Sequence, residues 1–123
     1  MGDSTPPFIA IVDDDAAIRD AISTLLRSGG YRCVAFASAE SFLVSGYECD
    51  ADCLLLDVRM PGMSGLDLHH WINRKCQVPV MYVTASTDPA LRARAFSQGA
   101  FAFFTKPFED QDLLDAIHST LGC

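Results

Sequence analysis

Five short apolar runs, each followed by residues at helical spacing, restrict this chain to very few folds. Phe8-Ile9-Ala10-Ile11-Val12, Cys53 to Leu56, Val80-Met81-Tyr82-Val83-Thr84 and Ala100 to Phe104 read as strands, and the first three are the pattern of strands buried on both faces of a parallel sheet. Tyr31-Arg32-Cys33-Val34-Ala35-Phe36 alternates instead, which predicts a strand nearer an edge. Helical patterns fill the gaps. Ile18, Ala21, Ile22, Leu25 and Leu26 recur at helical spacing, behind a capping Asp15 and ahead of Gly29-Gly30. Ser38 opens a weaker helix with Phe42 and Leu43, which Gly46 closes. Ser64, with Asp67 three residues on, opens another through Leu66, His69, His70, Trp71 and Ile72. Asp88-Pro89 starts a fourth that reaches about Gln98 before Gly99, and Leu113, Leu114, Ile117 and Leu121 mark the last. Strands alternating with helices call for a parallel sheet covered on both faces. Right-handed crossovers then leave one leading topology: a doubly wound α/β fold of five parallel strands in the flavodoxin-like order 2-1-3-4-5.

At 123 residues the chain is one domain, predicted over residues 8–121 behind a flexible N-terminal arm, residues 1–7, whose Pro6-Pro7 delays regular structure. No apolar run approaches the roughly 18 residues of a membrane span, and no basic segment followed by an apolar stretch marks a secretory signal. The expected location is the cytoplasm. A net charge of −7 argues against the domain gripping a nucleic-acid backbone, which needs clustered Lys and Arg. The five cysteines form no C-x-x-C pair and are not spaced with the three histidines as zinc ligands, so reduced structural thiols are expected.

In open parallel sheets, chemistry gathers just past the carboxyl ends of the strands. Leu54-Leu55-Leu56 runs straight into Asp57 there, and Met60-Pro61-Gly62 turns immediately after. A charge ending a strand is as often a solvated turn residue as a functional one, and the remaining strand ends decide between them. With the first and third strands adjacent, Asp13 and Asp14 fall beside Asp57, Thr84 ends the fourth strand, and Lys106 follows the fifth. Taken singly, each has a mundane role: Asp15 as a helix cap, Thr84 as strand filler, Lys106 as a loop lysine, His69, His70 and His118 as solvated or packed helix residues. Together they form a specific set. Three carboxylates in one crevice repel each other, so one would be forced neutral unless a cation neutralises them, and an open oxygen site suits Mg²⁺. Lys106, Thr84 and Mg²⁺ would stabilise the equatorial oxygens of a transferring phosphoryl group, with Asp57 as the carboxylate nucleophile.

Val12-Asp13-Asp14-Asp15, Leu56-Asp57-x-x-Met60-Pro61-Gly62-x-x-Gly65, Val83-Thr84-Ala85 and Lys106-Pro107-Phe108 resemble the receiver domain of bacterial two-component response regulators. The likeness runs from Phe8 to Leu121. Ser38-Ala39-Glu40-Ser41-Phe42-Leu43 and Lys106-Pro107-Phe108-Glu109-Asp110 are most similar to the FixJ/NarL-type branch. The resemblance implies that Asp57 is the phosphoacceptor for a sensor histidine kinase. It implies Mg²⁺ held by Asp14, Asp57 and the main-chain carbonyl of Arg59, with Asp13 acting through water, and Lys106 paired with the phosphoryl group beside a cis bond at Pro107. Thr84 would swing inward and Phe103 follow, remodelling the face of the fourth helix, fifth strand and fifth helix. Many relatives carry Tyr at that position, and Phe103 lacks the hydroxyl that would stabilise an exposed rotamer. Arg59 would affect the lifetime of the acyl phosphate, and Ala85 would leave room for the donor.

The resemblance implies a phosphoacceptor signalling domain in transcription regulation, not an enzyme, with self-phosphorylation and autodephosphorylation only. A homodimer formed on phosphorylation through the fourth helix and fifth strand, and a fused DNA-binding output domain, are further expectations. The stop at Gly122-Cys123 favours a piece of a longer protein over a free-standing regulator. Two rivals share the fold. An aspartyl-nucleophile phosphatase usually needs a second carboxylate two residues after the nucleophile, where Arg59 stands. A flavin- or nucleotide-binding module wants a Gly/Ser/Thr-rich turn after the first strand, and Asp13-Asp14-Asp15 would repel a phosphate there.

Overall fold

The computed structural model describes residues 6–122. The expected flexible arm therefore lies outside the described residues except for Pro6 and Pro7, whose carbonyls accept from Arg32 Nε at 2.9 Å and Arg32 N at 3.0 Å. Strands and helices alternate as β1 (Phe8–Val12), α1 (Ala16–Ser28), β2 (Arg32–Phe36), α2 (Ala39–Ser45), β3 (Cys53–Leu56), α3 (Gly65–Asn73), β4 (Val80–Thr84), α4 (Pro89–Ser97), β5 (Ala102–Thr105) and α5 (Asp110–Leu121). All strand pairs are parallel and the order is β2-β1-β3-β4-β5, as the alternation predicts.

The strand period of two divides the core between the faces. Ala10, Val12, Leu54, Leu56 and Tyr82 point to the layer that includes Phe42, Leu66, Leu68, Ile72 and Ala95 from α2, α3 and α4. Ile9, Ile11, Leu55, Met81 and Val83 point to the layer of α1 and α5, with Ile22, Leu26, Leu113 and Ile117. β1, β3 and β4 are fully buried along almost their whole length, whereas β2 alternates exposed and half-buried residues at the sheet edge.

The caps form where the sequence places them. Asp15 accepts from Ala17 N at 2.9 Å, Ser64 from Asp67 N at 3.1 Å, and Asp88 from Ala90 N at 2.9 Å. Ser38 and Ser41 cap α2 reciprocally, each side chain bonding the other's backbone N–H. Two strands begin later than predicted, and both for the same reason. Tyr31 N still donates to Leu26 O at 3.0 Å and Ala100 N to Ala95 O at 3.1 Å, so the end of the preceding helix retains these two, while Phe101 N already donates to Val80 O of β4 at 2.9 Å.

The cysteine expectation needs correction. Cys49 and Cys76 form a disulfide, with Cα atoms 5.8 Å apart. They sit in the loops that lead into β3 and β4, and the pairing of those strands brings the loops together across 27 residues of sequence. Spacing alone carries no trace of this. Cys33 and Cys53 are free thiols, and burial pushes the Cys53 thiol up to about 12. Cys123 lies outside the described residues.

Candidate phosphoryl-acceptor site

Two neighbouring strands, β1 and β3, deliver the acidic residues to one place. Pairing of β1 with β3 continues past the strand ends, where Asp57 N donates to Val12 O at 3.0 Å. Asp13 N donates to Phe36 O at 3.1 Å and so stays in the sheet while its side chain enters the crevice. Asp13, Asp14 and Asp57 bring carboxylate oxygens within 4.8 Å of one another. Asp13 and Asp57 are buried and Asp14 is exposed.

Lys106 comes from the far side of the sheet. Its backbone N–H donates to Thr84 O at 2.8 Å, extending the β4–β5 pairing by one step. The Lys106–Pro107 bond is cis. The ammonium donates to Asp13 Oδ2 at 2.9 Å and reaches Asp57 Oδ2 at 3.4 Å. Thr84 is fully buried; its hydroxyl accepts from Ser86 N at 3.3 Å and lies near enough to Asp57 to favour the charged carboxylate. Arg59 N donates to Asp57 Oδ1 at 3.3 Å, while the Arg59 side chain is exposed at the rim. Ala85, next to Thr84, is exposed as well. The structure thus brings Asp13, Asp14, Asp57, Thr84 and Lys106 together and sets Arg59 and Ala85 around the opening.

Burial is the main cause that raises the Asp57 carboxyl above its ordinary range, and the Asp13 charge adds to it. The Thr84 hydroxyl, the Lys106 charge and the Arg59 N–H work the other way without cancelling it. Burial alone would lower Lys106, but its hydrogen bond to Asp13 and the Asp57 and Asp13 charges outweigh that and hold it above the ordinary value. One ammonium shared between two buried carboxylates, with a third beside them, leaves net negative charge among hard oxygen donors. That donor set fits a small divalent cation such as Mg²⁺.

Phe103 lies on β5 away from the carboxylates. Its half-buried ring has its centroid 5.8 Å from that of Tyr82 and 6.4 Å from that of Phe96. The Arg92 guanidinium stands over both Phe103 and Phe96, at 5.6 and 5.0 Å from the ring centroids.

Three supporting residues escape the strand-end pattern. Arg19 donates to Asp13 O at 2.8 Å, and nothing in its helical position signals that contact. Gly65 packs so closely on the Asp57 carbonyl that a Cβ there would overlap the oxygen, and its N–H donates to Val58 O at 3.0 Å. Its spacing from Pro61-Gly62 is the available sequence signal. Glu40, from α2, accepts from Met63 N at 2.8 Å. Asp15 is a cap, as weighed above, and its own N–H also orients Asp13 by donating to Oδ1 at 2.9 Å.

The family model described as response regulator receiver domain matches residues 9–118. The chain is 44% identical to the response regulator protein TmoT of Ectopseudomonas mendocina over 92% of this chain and 52% of that protein. It is 37% identical to the transcriptional regulatory protein FixJ of Azorhizobium caulinodans, over 99% of this chain and 57% of FixJ. The solved structure of the response regulator StyR superposes with a TM-score of 0.86 at 39% identity, covering 96% of this chain and 60% of StyR. The chain spans about half the length of the curated relatives it matches.

Proposed function

Since the chain belongs to the response regulator receiver domains, we propose that it takes a phosphoryl group from a histidine kinase onto Asp57. The observation that carries this is the Asp57 carboxylate itself. It is buried at a strand end and held by the Arg59 N–H and the Lys106 ammonium, with the Thr84 hydroxyl near it and two further carboxylates beside it. A carboxylate oxygen of Asp57 bonds to phosphorus as the bond from phosphorus to the donor imidazole nitrogen breaks, and the nitrogen keeps the electron pair.

Asp14, Asp57 and the Arg59 carbonyl would hold Mg²⁺, with Asp13 acting through water, and the ion supplies positive charge against the phosphoryl oxygens. Lys106 supplies a fixed charge to those oxygens once Asp57 is phosphorylated, and it also keeps Asp13 from repelling the incoming group. The Thr84 hydroxyl turns inward to donate to a phosphoryl oxygen. Phe103 then follows into the space that Thr84 vacates, and its release from beneath Arg92 changes the α4, β5 and α5 face. Arg59 governs the access of water to the acyl phosphate, and Ala85 leaves space for the donor.

The names of the transcriptional regulatory relatives support an output in transcription; a DNA-binding domain joined to this one and a dimer formed on α4 and β5 belong to the same proposal. No helix of the described residues is long and apolar enough to cross a membrane, and we place the domain in the cytoplasm with its kinase partner. The phosphatase reading lacks its second carboxylate, since Arg59 occupies that position.

Incubation with acetyl phosphate tests the proposal. Wild-type protein is expected to take one phosphoryl group only when Mg²⁺ is present, with Asp57→Asn unlabelled, as read by intact mass and phosphate-affinity gels. Equal labelling of both proteins, or labelling that survives chelation, would overturn it.

A further inference from the structure

The loop between Asp57 and α3 carries the Arg59 carbonyl and the Arg59 side chain, and two points fix its ends. Arg59 N is tied to Asp57 Oδ1 at 3.3 Å, and Gly65 is pressed on the Asp57 carbonyl. Between them, from Met60 to Ser64, Glu40 is the only side chain among the described residues that bonds the loop backbone from outside the loop. Its Oε2 accepts from Met63 N at 2.8 Å. The same oxygen lies against Gly62, whose φ of +80° favours glycine and whose missing side chain leaves room: a Cβ would come within 2.7 Å of Oε2.

Glu40 is well placed to hold something still. It stands in the first turn of α2, oriented by the Ser38–Ser41 capping box. α2 is itself anchored by fully buried Ala39 and Phe42, and Phe42 meets Phe36 edge-on at 5.3 Å. The Phe36 carbonyl accepts from Asp13 N. One helix therefore touches the site from both sides, through Phe36 to Asp13 and through Glu40 to the loop after Asp57. We infer that Glu40 is a positioning residue for phosphorylation, clamping the Pro61-Gly62-Met63 turn so that the Arg59 carbonyl stays aligned with the carboxylates. The inference rests on the proposed role of Asp57.

Glu40→Ala and Glu40→Gln distinguish a clamp from a merely structural helix residue. Two quantities are measured: hydrogen exchange of the amides from Val58 to Ser64 by NMR, and acetyl phosphate labelling across a Mg²⁺ series. Glu40→Ala should speed exchange at Met63 and its neighbours. It should raise the half-saturating Mg²⁺ concentration about five-fold with the maximal rate little changed, the scale expected for one hydrogen bond. Glu40→Gln keeps an acceptor for Met63 N–H and should stay within about two-fold of wild type. Wild-type exchange in Glu40→Ala, an altered exchange with an unmoved Mg²⁺ curve, or a Gln variant as impaired as Ala would each overturn the inference. A wild-type protein that takes no label at any Mg²⁺ concentration would instead overturn the reading of Asp57, and with it the alignment role, whatever the loop exchange showed.

Discussion

Tyr82 and His69 form a buried polar pair on the α3-facing side of β4, with the Tyr82 hydroxyl 2.8 Å from His69 Nδ1 and 3.4 Å from Gly65 O. Burial lowers His69 from 6.5 to about 4 and raises Tyr82, so both are neutral in the folded protein at neutral pH. A histidine with a depressed folded pKa stabilises the fold above its unfolded pKa and loses that contribution as pH falls through the folded one. The window here runs from about 6.5 down to about 4, and the loss is on the order of 3 kcal/mol. Urea unfolding at several pH values should show wild type losing more stability across that window than His69→Gln; parallel curves would mean that His69 titrates with the same pKa in both states. The sequence identifies His69 only as a helix residue, solvated or packed. The partner that makes it a buried acceptor or donor lies on another element, 13 residues away, and helical spacing cannot reveal it.

Among the elements, α3 is the one whose start is dictated by the site. Its first residue, Gly65, lies on the carbonyl of Asp57, and its cap, Ser64, closes the loop that carries Arg59. Gly65→Ala adds a helix-favouring side chain and forces backbone apart from backbone. The second effect dominates, because overpacking against a fixed main chain costs about 1–3 kcal/mol while Ala gains at most about 1 kcal/mol over Gly. Thermal unfolding should therefore show Gly65→Ala less stable than wild type, and a stability equal to wild type would mean that α3 can slide away from Asp57. At this scale the sequence is highly legible. Asp15, Ser38, Ser64 and Asp88 cap as read, because a cap is a local hydrogen bond between residues two or three apart. Asp13, Asp57, Thr84 and Lys106 were readable because each ends or follows a strand, and the strand order places those ends together. Arg19, Glu40 and the late starts of β2 and β5 were not, since each depends on how one element settles against another.

In the whole molecule, two helical layers share one sheet, and residues that alternate along β1, β3 and β4 serve opposite layers. Any change to a central strand is thus felt on both sides. The disulfide acts at the same scale. It lies in the loops before β3 and β4, opposite the strand ends that carry Asp57 and Thr84, and joins residues 27 apart. Closing a loop of that length restricts the unfolded chain by about 3–4 kcal/mol. Reduction should accordingly lower the melting temperature of this small domain by roughly 12–16 °C. Calorimetry with and without a dithiol reductant measures this, with Cys49→Ser as the control that should not respond; equal melting in both conditions would count against the bridge. Because the bridge encloses β3, the exposed Arg59 and all of α3, a single proteolytic cut after Arg59 would leave two fragments still joined through sulfur. The cut protein would migrate as one species under non-reducing electrophoresis, carrying its acidic crevice on one fragment and its lysine on the other.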